Sequence, residues 1–222
     1  MSMSLASKLA TQCQKPIGWL GRRFLLRMNK SHSMLTDWGL THVAIAKNAV
    51  VLDVGCGGGR TIFKLAARAS ERRVYGIDHS ADSVAMSRKT NARAIQRRQV
   101  DIQQATVSRL PFSDNTFDVA TAIETHFYWP SLDTDVREIL RVLKPGGTLV
   151  IIAEVYKGGK NDEQVKKFAE LMKRADTHYE NLSAAEHREL FVSAGYSAVQ
   201  VFEEYEKGWI CAVGKKPESV KA

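Results

Sequence analysis

The sequence predicts a doubly wound α/β fold: an apolar run ends in glycines and passes straight into a helical pattern, strand and helix patterns then alternate, and two closely spaced apolar runs close the chain. Ala49 to Val54 reads as the first strand, and Ile62, Phe63, Leu65 and Ala66 as the inner face of the helix after it. Arg73 to Ile77 is a second strand. Ser80 is placed to cap a helix running to about Arg97, and Val100 to Ala105 is a third strand. This βαβαβ run makes one mononucleotide-binding half.

Phe117 to Ile123 follows the turn Ser113-Asp114-Asn115 as a fourth strand. Leu132, Val136, Ile139, Leu140 and Leu143 then recur at helical spacing, and Pro145-Gly146-Gly147 is expected to stop that helix. Thr148 to Val155 is almost continuously aliphatic, as in a strand covered on both faces. A polar helix is expected over Asp162 to Asp176, and Ser183 caps another that ends at Ala194 before Gly195. Ala198 to Phe202 and Trp209 to Val213 lie too close for a parallel crossover, so the seventh strand is expected to be antiparallel. Residues 1–40 read as an N-terminal helical arm or lid in which Pro16, Gly18 and Gly21 break any long helix, 41–216 as the α/β domain, and 217–222 as a flexible tail.

With 44% apolar and 25% charged residues, the 222-residue chain is composed as a folded core rather than a disordered segment. Its net charge of +8 is uneven: 17 basic and 5 acidic residues precede Gln99-Val100 or lie within it, and 15 basic and 19 acidic residues follow. Such asymmetry fits solvated helix faces better than a nucleic-acid surface, although the latter stays open. Cys13, Cys56 and Cys211 show no paired spacing, which suits a reduced, cytoplasmic setting, and no metal-ligand spacing stands out. No run reaches the roughly 18 apolar residues of a membrane span. The first 36 residues carry six cations and no acid, so an organellar targeting segment is the alternative to a structural arm.

Chemistry concentrates at strand ends. In Val51-Leu52-Asp53-Val54-Gly55-Cys56-Gly57-Gly58-Gly59, glycines between strand and helix let backbone N–H groups approach a ligand. Asp78, ending Tyr75-Gly76-Ile77-Asp78, lies where a carboxylate accepts from both ribose hydroxyls. A nicotinamide site shares this layout, but Arg60 occupies the place of its third glycine.

Together with Leu110 to Val119 and Arg141-Val142-Leu143-Lys144-Pro145-Gly146-Gly147, these segments resemble the successive motifs of class I S-adenosylmethionine-dependent methyltransferases. The resemblance is strong over Asn48 to Ile152 and looser elsewhere. It implies a Rossmann-like seven-stranded sheet with an antiparallel last strand, S-adenosylmethionine as cofactor and S-adenosylhomocysteine as product. It also implies that Asp53, Gly55 and Gly57 hold the methionine end and that Asp78 binds the ribose; Cys56, among the glycines, and His79, next to Asp78, are further cofactor-binding candidates. By the same resemblance Thr106 and Val107, after the third strand, flank adenine, and Ile123 is a further cofactor-binding candidate; the family often has an acid where Thr106 stands.

The acceptor is expected at the end of the fourth strand, in Ile123-Glu124-Thr125-His126-Phe127-Tyr128-Trp129. His126, Glu124 and Tyr128 are the candidate catalytic groups there, joined by His32 from the arm. A small-molecule acceptor is favoured over RNA or protein, since neither the Pro-Cys of cysteine-based RNA methylation nor an Asn/Asp-Pro-Pro-Tyr tetrapeptide follows this strand. A nicotinamide oxidoreductase and a non-catalytic cofactor-binding module are the remaining alternatives.

Overall fold

The structure, a computed structural model, describes residues 11–218; the targeting-segment and tail expectations therefore fall partly outside the described residues. Strands β1 (Val51–Val54), β2 (Val74–Asp78), β3 (Val100–Gln104), β4 (Phe117–Ile123), β5 (Leu143–Ala153), β6 (Ser197–Glu204) and β7 (Trp209–Lys215) form one sheet in the order β3-β2-β1-β4-β5-β7-β6. Every pair from β3 to β5 is parallel, and β7 runs antiparallel to both β5 and β6. The order reverses between β1 and β4, which opens a crevice at the carboxyl ends of those strands.

Besides helical residues 11–14, the helices among the described residues include α1 (Gly18–Ser31), α2 (Ser33–Gly39), α3 (Arg60–Arg68), α4 (Ala81–Thr90), α5 (Ala92–Gln96), α6 (Leu132–Val142), α7 (Asp162–Arg174) and α8 (Ala184–Ser193). Strand alternation divides the core in two. Leu52, Ala120, Leu149 and Ile151 pack with Val136 and Ile139 of α6 and Phe191 of α8. Val51, Val119, Val150 and Ile152 pack on the other face with Leu35 of α2, Ile62 and Leu65 of α3 and Val84 of α4. Covered on both faces, β5 has no polar alternation to show.

Three local expectations need correcting. Gly21 does not break the arm: it is buried inside α1, where a Cβ would meet the Pro16 carbonyl carbon at 2.7 Å, so glycine permits close packing there. The helix expected from Ser80 to Arg97 is interrupted at Asn91, whose buried Nδ2 donates to the Gly59 carbonyl at 3.0 Å and to that of Ser87 at 2.9 Å. The helix before Pro145 ends at Val142, because fully buried Leu143 already pairs with Phe117 in β5. Pro145-Gly146-Gly147 is an irregularity inside that strand rather than a helix stop.

Candidate active site

The turn after β1 is built by glycines in the left-handed region: Gly55 at φ +74°, Gly57 at +49° and Gly59 at +83°. The N–H groups of Gly55 and Cys56 both donate to the Ile77 carbonyl at 2.9 Å, tying the turn to β2. At the end of β2, Asp78 accepts from the Gly57 N–H at 2.9 Å and the Ser80 N–H at 2.8 Å. Burial raises the Asp78 pKa, and those two N–H groups together with His79 hold it back. Ser80 also caps α4, accepting from the Ser83 N–H at 3.3 Å.

The turn from Gly55 to Gly58 and the end of β2 line a cleft of about 260 Å³. Gly55, Cys56, Gly57, Asp78, His79, Thr106, Val107 and Ile123 all face it, as does Arg60. Asp53 does not line it: the side chain turns into the sheet, where Oδ1 accepts from Thr121 Oγ1 at 2.7 Å, and burial pushes its carboxyl up to about 7. Cys56 lies against Ser87 Oγ at 3.6 Å, and burial lifts its thiol well above the ordinary value, which does not suit a nucleophile.

The arm forms one wall. Leu25, Met28, Asn29 and His32 face the cleft, and Asn29 Nδ2 donates to the Gly58 carbonyl at 3.1 Å. A Cβ on Gly58 would meet that same Nδ2 at 2.4 Å, so arm and turn touch because this residue is glycine.

Glu124 and Tyr128 line the cleft beyond the end of β4. Glu124 adopts a left-handed φ of +57° yet keeps its backbone bond to the Ile152 carbonyl at 3.0 Å. Its carboxylate accepts from the Glu154 N–H, and burial pushes its pKa up to about 7 while His32 pulls the other way. His32 Nε2 lies 3.4 Å from Glu154 Oε1. Burial lowers the His32 pKa, but the bond to Glu154 and the nearby Glu124 together carry it above the ordinary imidazole value. The Tyr128 ring stands edge-on to Phe127, with centroids 5.4 Å apart, and 5.7 Å from the Tyr179 ring.

His126 is the second correction at the site, because it does not reach the cleft. It is fully buried in the short 3₁₀ turn His126–Tyr128, with Nε2 3.1 Å from Nε2 of His187 on α8. His187 Nδ1 lies 2.9 Å from the Ser183 carbonyl, which only accepts, so that nitrogen carries the proton. His187 Nε2 is then the acceptor and His126 Nε2–H the donor. The pair ties α8 to the turn after β4, a structural role.

Sequence reasoning missed Glu154 and Cys13. Glu154 follows directly on β5, the strand beside β4, so the carboxyl-end rule applied to the neighbouring strand would have found it. Cys13 carries no such signal; its thiol lines the cleft and is pushed up to about 11 by burial and by Glu124 and Glu154.

Residues 52–151 match the model of a family described as a methyltransferase domain. Among curated proteins the chain is similar to the uncharacterized methyltransferase YdaC of Bacillus subtilis (strain 168), at 23% identity over 86% of this chain and 96% of that one. It is 32% identical to the O-methyltransferase cnsE of Penicillium expansum over 70% of this chain and 55% of that one. Apart from YdaC, the chain spans 31–55% of the length of seven curated relatives it matches. Among solved structures it superposes, with a TM-score of 0.76 and 20% identity over 98% of this chain and 100% of the other, on a chain from the complex of the Haloferax volcanii Trm112 methyltransferase activator with a candidate methyltransferase. That likeness shows the shared fold.

Proposed function

The chain belongs to the class I S-adenosylmethionine-dependent methyltransferases, and from that premise we propose that it methylates a small molecule held between the arm and the ends of β4 and β5. The observation that carries this reading is the cleft itself, which joins the glycine turn and Asp78 to Glu124, Tyr128 and His32.

The residues present fit the cofactor. Left-handed glycines leave room for a ligand against the turn, Asp78 offers a carboxylate beside it, and Val107 and Ile123 supply apolar surface for a base. Bound there, S-adenosylmethionine would supply an electrophilic sulfonium methyl group for transfer to a nucleophile. The chain's own part is placement: holding two reactants in register is worth roughly 7 to 11 kcal/mol, against the 10²- to 10⁴-fold typical of a general base. Leu25, Met28 and Asn29 of the arm exclude water from one side, and Glu124, His32 and Tyr128 are the polar groups set to orient the acceptor. An acceptor enclosed by an arm of this kind suits a small molecule better than a polymer.

Thermal-shift and calorimetric titration test the reading. S-adenosylhomocysteine should raise the melting temperature and NAD should not, since only a ligand of the folded state stabilises it. Asp78→Ala should weaken S-adenosylhomocysteine by roughly tenfold or more, about 1.4 kcal/mol. Equal affinity in that variant would remove Asp78 from the cofactor site.

A further inference from the structure

Three side chains from three separate elements converge beside the cofactor cleft. His32 caps the C-terminus of α1, Glu124 follows β4 and Glu154 follows β5. One ligand atom from each lies within 4.8 Å of the others. We propose that His32, Glu124 and Glu154 form a divalent metal site, and that its ion binds a hydroxyl-bearing acceptor.

Charge and geometry support the assignment. One neutral imidazole and two carboxylates balance a doubly charged ion, and this donor set suits Mn²⁺, Fe²⁺ or Zn²⁺. Ligand atoms around such an ion, each about 2.0–2.2 Å from it, sit on the order of 3–4 Å apart, so small side-chain rotations close the site. Glu124 is half-buried and lines the cleft, and the Glu154 N–H is the one hydrogen-bond donor its carboxylate meets among the described residues. That N–H orients the carboxylate as outer contacts orient metal ligands elsewhere. The backbones of Glu124 and Glu154 are held in register by adjacent parallel strands, with Ile123 opposite Ile152. His32 comes from the arm, so an ion would also draw the arm against the sheet.

Three protein ligands leave coordination positions open, the arrangement of catalytic rather than structural metal sites. A hydroxyl bound there loses its proton to water more readily, because the ion stabilises the oxyanion. The inference rests on the methyl-transfer reading for its chemistry, but the site itself is tested with the metal alone.

Tag-free, chelator-treated protein is titrated calorimetrically with Mn²⁺ and with Zn²⁺, and bound Mn²⁺ is examined by electron paramagnetic resonance. The expected result is one saturable site, weakened roughly 10- to 100-fold in both His32→Ala and Glu154→Gln, with nitrogen coupling to Mn²⁺ in the wild type that His32→Ala removes. Absence of a saturable site in the wild type, or a site without nitrogen coupling, overturns the proposal. Wild-type protein that binds S-adenosylhomocysteine but no metal refutes the ion and leaves the methyl-transfer reading standing. Protein that takes the ion at these residues but not S-adenosylhomocysteine supports the ion and strikes that reading instead.

Discussion

At Gly55 two demands meet in one residue. The backbone is left-handed at φ +74°, and a Cβ would lie 2.2 Å from Thr125 Oγ1, which also takes the Trp129 indole N–H at 3.4 Å. Gly55→Ala therefore adds a left-handed penalty of about 1–2 kcal/mol and an overpacking cost of about 1–3 kcal/mol. The expected outcome is a fall in melting temperature of several degrees together with weaker S-adenosylhomocysteine binding, read by thermal scan and calorimetry. Full binding in the variant would show that the turn does not shape the cofactor site. This glycine was legible in the sequence because its role is written in backbone freedom. The roles of Asp53 and His126 were not, since a motif names a residue without saying which way its side chain leaves the backbone. Asp53 turns to Thr121 inside the sheet, and His126 turns to His187.

Between elements, the His126–His187 contact makes stability depend on pH. Burial holds both imidazoles below the ordinary value, His126 well below it, so both are neutral in the fold. Unfolded, each takes a proton at about pH 6.5. The pair's contribution is therefore full above that pH and is lost as pH falls toward the folded values, by about 1.4 kcal/mol per unit for each histidine. Asp53 runs the other way: its carboxyl is raised to about 7, stays protonated in the fold where the unfolded chain is ionised, and costs stability as pH rises toward 7. Comparing variants cancels that slope. The stability difference between pH 7.5 and 5.5, from urea denaturation, should shrink by about 1 kcal/mol in His187→Gln; an equal difference in the two proteins would show that the fold does not hold the pair neutral. Element types and order were legible from periodicity, whereas the break at Asn91 and the early start of β5 were not. Both depend on distant partners, Gly59 and Phe117, that no local pattern contains.

For the molecule as a whole, the doubly wound class and the antiparallel seventh strand followed from sequence, because alternating strand and helix patterns with a closing hairpin leave few ways to build the sheet. The arm was expected as a lid carrying His32, which lines the cleft, but the contacts that seat it, such as Asn29 on Gly58, were not legible, since they are made across the cleft. Gly21 and Leu25 are the buried residues of α1, whereas Arg22, Arg23, Arg27 and Lys30 are exposed along the same helix. An element so lightly anchored opens at lower free energy than the sheet, and trypsin cuts the open form at those cations. The Asn29 bond to Gly58 and the residues facing the cleft make a bound cofactor part of the arm's support. In limited proteolysis, saturating S-adenosylhomocysteine should slow cleavage within residues 22–30 in proportion to the arm's stabilisation, while cuts elsewhere slow less. Asn29→Ala should weaken that protection while leaving the unliganded sheet as stable as before. Cleavage within 22–30 at the same rate with and without ligand would mean that the arm is not a lid, and that the cleft closes by some other element.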